Sequence, residues 1–218
     1  MKKERRNSTM MDLRPAEWVK HAITHPVEGF EDMRWKKSGS LKIAFLIVFM
    51  LFLSEIASGR LYGEQFKVTY DKVFNVVPYI TSTIVLFAAW VVGNWSICTL
   101  LDGEGTMRNI CVYSAYALVP FITQRFINVA LSHVLIRDEY VFMQAIEIIG
   151  TGWTLILLFS AIKSVHQYSF GKTVFAIILT ICAMLIMLVL LVLFMSLIQQ
   201  IFIFASTIYT ELSYRIRV

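Results

Sequence analysis

The sequence predicts an all-α integral membrane protein, a bundle of five transmembrane helices joined by short loops. Five apolar runs cover most of the chain, at residues 41–58, 73–101, 110–135, 141–164 and 173–207. Each run is long enough for a helix to cross a hydrocarbon core about 30 Å thick. The runs are continuously apolar, which favours helices over the alternating strands of a membrane barrel. The composition agrees, because 57% of the residues are hydrophobic and only 16% are charged.

Two segments precede the membrane domain, which we assign to residues 41–218. Residues 1–14 are basic and polar and predict a flexible tail. Residues 15–40 predict two short amphipathic helices, separated by His25-Pro26, that lie on the cytoplasmic surface of the membrane. Docking of a cytoplasmic partner is the alternative role for this segment. The side chains that we expect to anchor it at the membrane surface are Trp18, Phe30, Trp35, Lys36 and Lys37.

The basic residues are concentrated ahead of the first span. Such a cluster holds the N-terminus in the cytoplasm and attracts the anionic lipids of the inner leaflet. Five crossings then place the C-terminus outside. Nucleic-acid binding is not expected, because no aromatic or glycine platform accompanies the charge.

The order of the runs predicts an up-and-down bundle, since short connections force neighbouring helices to be antiparallel. The last run is unusually long, with no charged residue from 173 to 210. A continuous helix there would exceed about 50 Å, whereas about twenty residues cross a bilayer. We expect Gln199-Gln200 to mark the outer interface. The helix beyond it either bends along the membrane surface or projects outward, where a partner must cover its apolar side chains.

Arg125 is the most costly residue within the spans, because a guanidinium near the bilayer centre needs a partner. Counted from the ends of their helices, Glu147 and Glu55 reach a similar depth. We therefore predict an Arg125–Glu147 pair, with Glu55 as the alternative or third member. We interpret this charge cluster of Arg125, Glu147 and Glu55 first as a polar contact that holds the helices of the bundle together. The second interpretation is a contact with another subunit, and the third is part of a transport path.

The third span also carries a polar helix face and a proline. Gln124, Asn128 and Ser132 follow one another at intervals of four residues, so they share one face. Pro120 leaves the carbonyl of Tyr116 without its usual donor, which allows a kink.

No catalytic or metal-binding constellation is evident in the sequence. His133 and His166 have no second ligand at metal spacing, and the cysteines Cys98, Cys111 and Cys182 lack a CxxC arrangement. No nucleophile–base arrangement, phosphate-cradling loop or haem motif is present. We therefore expect no metal, no cofactor and no enzymatic activity.

Three short elements occur in a characteristic order. Asp102-Gly103-Glu104-Gly105 follows a span that contains tryptophan, Tyr116-Ala117-Leu118-Val119-Pro120 lies in the next span, and His166-Gln167-Tyr168-Ser169 precedes Lys172-Thr173. Together with the five spans, these elements resemble the bacterial branch of the Yip family, over about residues 20–210. Members of that family are named for their interaction with Ypt/Rab GTPases. The resemblance implies a five-helix membrane domain with a cytoplasmic N-terminus.

The resemblance also implies a function. Bacterial relatives look like accessory proteins of the cell membrane, some of them encoded beside carbohydrate ABC-importer genes. The leading hypothesis is a non-enzymatic accessory subunit that acts through helix–helix contacts with other membrane subunits, such as an ABC permease. The alternatives are a stand-alone small transporter or channel that uses the charge cluster, and a membrane-shaping or trafficking scaffold. A Rab-type GTPase is not expected as a partner, because the acidic Asp-Leu-x-Gly-Pro-like stretch of eukaryotic members is missing.

Overall fold

The computed structural model describes residues 13–66 and 74–217, and within them every regular element is helical. Two short helices, α1 (Pro15–Thr24) and α2 (Glu28–Trp35), come first. The longer helices are α3 (Leu41–Arg60), α4 (Val77–Leu100), α5 (Met107–Ala117), α6 (Val119–Leu131), α7 (Tyr140–His166) and α8 (Phe170–Arg217). The expected flexible tail at residues 1–14 lies almost wholly outside the described residues.

Five helical segments are long and apolar enough to cross a membrane, which confirms the predicted fold class. Helices α5 and α6 together form the third segment. The helices extend beyond several predicted spans because polar residues complete their ends. Thr106, for example, caps α5 by accepting a hydrogen bond from the amide of Asn109 at 3.3 Å. The start predicted for the second span, residue 73, lies outside the described residues, and α4 begins at Val77.

Two helices depart from regular α-helical geometry. The third segment is divided at Leu118, two residues before Pro120, where a proline removes a backbone donor. In α4, residues Thr81–Val85 form a π-helical stretch. Such stretches are frequently found at functional sites, and this one lies beside the Glu55 carboxylate, which accepts a hydrogen bond from Ser82 Oγ at 3.4 Å.

The core of the bundle surrounds α5, whose residues 110 and 112–117 are all buried. Helices α3, α4 and α7 pack around it, while α8 packs mainly on α4. We term the two ends of the bundle proximal and distal. The proximal end is formed by Leu41, Leu100, Met107, His166 and Phe170, and the distal end by Arg60, Val77, Leu131 and Tyr140.

Helices α1 and α2 form a hairpin that packs into the proximal half of the bundle. The two helices approach closely at Gly29, where a Cβ atom would lie 2.8 Å from the Cα of Ala22. Phe30 is fully buried, with its ring 5.9 Å from that of Tyr113, and Trp18 is only 5% exposed. The indole N–H of Trp153 in α7 donates to the carbonyl of Ile23 at 3.2 Å.

This packing corrects the expectation that Trp18 and Phe30 anchor the segment in lipid headgroups. Their rings fill the space against α5, because burial against protein satisfies an apolar helix face as well as lipid does. Of the predicted anchors, Trp35 and Lys37 are exposed and Lys36 is half-buried.

Candidate functional site

The loop after α4 and the loop after α7 meet at the proximal end. Helix α4 ends in a tight turn in which the amide of Gly103 donates to the carbonyl of Cys98 at 2.8 Å. Asp102 and Gln167 both adopt left-handed backbone conformations, each with φ of 56°. Both turns reverse the chain within a few residues, which brings the Asp102–Gly105 loop against the stretch that begins at His166. We term this meeting point the proximal motif cluster.

His166 is the centre of the cluster and is 3% exposed. The amide of Gly105 donates to its Nδ1 at 3.3 Å, so Nδ1 carries no proton. The proton is therefore on Nε2, which donates to Asn94 Oδ1 at 3.1 Å, and Asn94 Nδ2 in turn donates to Thr180 Oγ1 at 3.2 Å. One neutral tautomer of a buried histidine thus joins α4, α7, α8 and the loop after α4.

Tyr168 closes the other side of the cluster. Its hydroxyl lies 3.1 Å from the carbonyl oxygen of Cys98 and 3.2 Å from that of Leu101, and donates to the end of α4. Its ring stacks on His166 with centroids 5.3 Å apart, and the Lys172 ammonium lies 4.5 Å from the ring centroid. Burial raises the pKa of the Tyr168 hydroxyl, so the group keeps its proton and remains a donor.

The two glycines of the loop are required by this close packing. A Cβ atom on Gly103 would lie 2.5 Å from both His166 Nδ1 and the Tyr168 hydroxyl oxygen. One on Gly105 would lie 2.4 Å from Val165 Cγ1 and 2.5 Å from His166 Cε1. Larger residues would push the loop away from the histidine and break its hydrogen bond to Gly105.

Arg34 connects the α1–α2 hairpin to the cluster. It forms an ion pair with Glu104 and donates to the carbonyl of Ser164 at 3.3 Å. The proximal motif cluster is therefore in contact with the α1–α2 hairpin as well as with α4, α7 and α8. Sequence reasoning missed Arg34, Asn94 and Thr180. An asparagine inside an apolar span was the available signal for Asn94, because such a side chain needs an interhelical partner.

The other family-like residues lie elsewhere. The hydroxyl of Tyr116 accepts a hydrogen bond from the amide of Ser40 at 3.1 Å, so it fixes the start of α3 against α5. Pro120 lies in the first turn of α6, at the division of the third segment. These two residues position helices and do not touch the histidine.

Arg125 forms an ion pair with Glu55, which joins α6 to α3. The guanidinium lies 4.6 Å from the centroid of the Phe121 ring. Both charged side chains line a central cavity of about 360 Å³, together with Ser82 and Ser114. The partner is thus the alternative carboxylate rather than Glu147. Glu147 is an exposed electrostatic neighbour of Arg125 and lines a different cavity at the distal end.

The polar face of α6 is buried rather than open to a pore. Asn128 Nδ2 donates to the carbonyl of Met143 at 3.1 Å. Ser132 Oγ accepts from the amide of Gly63 at 2.9 Å and donates to the carbonyl of Val129. Gln124 packs on Gly150, where a Cβ atom would lie 2.5 Å from Gln124 Cγ. This face therefore holds α7 and the loop after α3 against α6.

The proximal half of α8 packs on α4, and its distal half contacts no other described residue closely enough to be covered. Thr173, Ala176 and Thr180 are fully buried, and the Met187 Cε atom lies over Gly93. From Val189 to Leu212 every side chain is exposed. We term Val189–Leu212 the uncovered segment.

Among the described residues, no group of three or more His, Cys, Asp or Glu side chains is placed to hold a metal ion. Cys98, Cys111 and Cys182 are free thiols.

The chain was compared with known families, curated proteins and solved structures. No curated protein and no solved structure matches it. The Yip1 domain matches residues 20–208, which span α1 to the distal part of α8 and include the whole proximal motif cluster. Because this match covers most of the chain, the protein belongs to the Yip family of membrane proteins.

Proposed function

We propose that this Yip family protein is a non-enzymatic accessory subunit that binds other membrane subunits through the uncovered segment of α8. One observation carries the proposal: only 6% of the residues are buried in an apolar 18-residue stretch of α8, against 28% to 50% in the corresponding stretches of the other four spans. The uncovered segment is a long apolar surface that no other described residue covers. A surface of this kind is typical of a helix that is covered by another protein.

The length of α8 supports the same proposal. Its 48 residues extend about 72 Å at 1.5 Å per residue, and the hydrocarbon core is only about 30 Å thick. Observed tilts of transmembrane helices, up to about 40°, cannot absorb the difference. Residues such as Ile201, Phe202 and Phe204 therefore lie beyond the hydrocarbon with more than half of their side-chain surface exposed. A bound subunit would remove this apolar surface from water.

The partner class that we propose is the permease of a carbohydrate ABC importer. The resemblance to bacterial Yip proteins supports this partner class. We also propose that the protein lies in a bacterial cell membrane, with the proximal end of the bundle in the cytoplasm. The basic residues ahead of α3 favour this orientation.

Copurification tests the proposal. Full-length protein extracted in a mild detergent should bring down a permease subunit. A variant that ends at Gln200 should lose that subunit while its own thermal stability changes little, because every deleted side chain from 201 to 212 is exposed. The double variant Phe45→Ala/Phe49→Ala removes exposed aromatic side chains from α3 instead, and it should keep the partner. Recovery of the full-length protein only as a monomer would count against an accessory role.

The central cavity favours a second candidate function, a small transporter or channel. A cavity of about 360 Å³ with an ion pair on its wall is the kind of feature that lines ion pathways. Protein reconstituted into liposomes should then conduct an ion or small solute, and Arg125→Ala should abolish the flux. Absence of flux, combined with copurification of a partner through α8, would leave the accessory function as the better account.

A further inference from the structure

A second cavity, of about 590 Å³, lies at the distal end of the bundle between α6, α7 and the loop after α3. This volume is within the range of about 300–1,000 Å³ that is typical of small-molecule sites. Its walls combine polar, charged and aromatic side chains, namely Tyr62, Gln65, Phe66, Asn128, Arg137, Tyr140, Met143 and Glu147. We term it the distal cavity.

Asn128 gives the distal cavity an unsatisfied acceptor. The residue is 3% exposed, and its Nδ2 donates to the Met143 carbonyl at 3.1 Å. The Met143 carbonyl can only accept a hydrogen bond, so the side-chain nitrogen of Asn128 must face it. The side-chain oxygen, Oδ1, therefore points to the other side of the amide and needs a donor of its own. Oδ1 is buried and has no hydrogen-bond partner among the described residues. Buried polar atoms are normally paired, so this oxygen indicates a missing donor.

Glu147 supplies a negative charge next to this acceptor. It lies one helical turn after Met143, the residue that binds Asn128, and therefore on the same face of α7. Its side chain is exposed and takes no part in the ion pairs of the described residues. Tyr62 lines the same cavity as Glu147, and burial, followed by the charge of Glu147, raises the pKa of its hydroxyl.

Arg137 places a positive charge on the same cavity. Its Nε atom donates to the carbonyl of Gln65 at 3.0 Å, which fixes the guanidinium and leaves its terminal nitrogens without a hydrogen bond to the described residues. The rings of Phe66 and Tyr140 stack with centroids 6.1 Å apart. Arginine and tyrosine at the ends of transmembrane helices lie at the level of the lipid headgroups.

We propose that the distal cavity binds a primary ammonium group joined to an anionic group, the chemistry of a phosphoethanolamine lipid headgroup. The ammonium donates to Asn128 Oδ1 and to the Glu147 carboxylate. The anionic group accepts from Arg137, for which a guanidinium is well suited. A quaternary ammonium has no hydrogen to donate, so a phosphocholine group leaves the Asn128 oxygen unsatisfied.

Lipid titration tests this site. Full-length protein stripped of lipid in detergent is titrated with phosphatidylethanolamine, phosphatidylcholine or phosphatidylglycerol, and bound lipid is counted by native mass spectrometry. We expect phosphatidylethanolamine to bind at least fivefold more tightly than the other two. Glu147→Gln should weaken its binding about tenfold, the order expected for loss of one charge-assisted hydrogen bond. Arg137→Gln should weaken it as well.

Glu211→Gln is the matched control, because this exposed carboxylate lies in α8 and does not line the distal cavity, so its loss should leave lipid binding unchanged. Competition with soluble glycerophosphoethanolamine identifies the source of the ligand: displacement of the lipid indicates that the headgroup alone suffices, and failure to displace it indicates a membrane lipid. Equal binding of phosphatidylethanolamine and phosphatidylcholine would overturn the proposal, as would unchanged binding by Glu147→Gln protein of normal thermal stability.

Discussion

At the scale of single residues, the proximal motif cluster shows why a short glycine-containing loop is needed. Gly103 and Gly105 are not there to supply an unusual backbone angle, since the left-handed residues of the two turns are Asp102 and Gln167. They are there because His166 occupies the space where their side chains would be. The histidine needs this proximity to accept a hydrogen bond from a backbone amide.

Gly103→Ala should therefore destabilise the protein by about 2 kcal/mol or more, because the new methyl group meets His166, Tyr168 and the carbonyl of Cys98. Gly152→Ala is the matched control, since nothing lies within 4 Å of a Cβ atom there. It lies within α7 and should be neutral or stabilising by up to about 1 kcal/mol. Unfolding in detergent, followed by circular dichroism, measures both. Equal stabilities of the two variants would contradict the packing described for the loop.

At the scale of elements, α3 and α6 are joined by the Arg125–Glu55 pair, α7 is joined to α6 by the buried Asn128 amide, and the loop after α3 is joined to α6 by the Ser132 hydroxyl. Polar contacts of this kind orient helices in a membrane, where apolar surface gives no preference between lipid and protein. The polar face of α6 is therefore better explained as an interhelical contact than as the wall of a pore.

The ion pair makes a testable prediction about α3 and α6. Arg125→Leu should destabilise the protein by about 3 kcal/mol, because the Glu55 carboxylate within the bundle loses the positive charge that it pairs with. The double variant Arg125→Leu/Glu55→Leu should recover most of this loss, since no charge then remains. A thermodynamic cycle of the two single variants and the double variant, measured by unfolding in detergent, checks the coupling. Additive effects would show that the two side chains do not interact.

At the scale of the whole molecule, five candidate spans and a basic N-terminal region predict an orientation in the membrane. The N-terminus and the C-terminus should be on opposite sides of the membrane. Reporter tags at the two ends, assayed in intact cells, measure this directly. A cysteine introduced at exposed Asp138, in a background where Cys98, Cys111 and Cys182 are replaced by alanine, should be labelled from the same side as the C-terminal tag. Detection of both termini on one side would contradict the five-span topology.

The family relationship and the number of helices could be predicted from the sequence, whereas the side-chain contacts between helices could not. Counting residues along each span placed Arg125, Glu147 and Glu55 at similar depths, but depth says nothing about rotation around a helix axis. The orientation of each helix about its axis determines that Glu55 pairs with Arg125 and that Glu147 lines the distal cavity. In the same way, the spacing of Trp18 and Phe30 gave an apolar face without saying whether lipid or α5 covers it.

By itself the sequence determined that this protein is a five-helix membrane protein of the Yip type with an overlong last helix. These properties depend on the length and composition of continuous segments, and backbone hydrogen bonding in lipid leaves such segments only the helix. Only the tertiary structure decided which polar groups are paired, that α1 and α2 belong to the core, and that α8 is uncovered from Val189 to Leu212. Those outcomes depend on contacts between segments far apart in the chain, and a residue pattern within one segment carries no information about its neighbour.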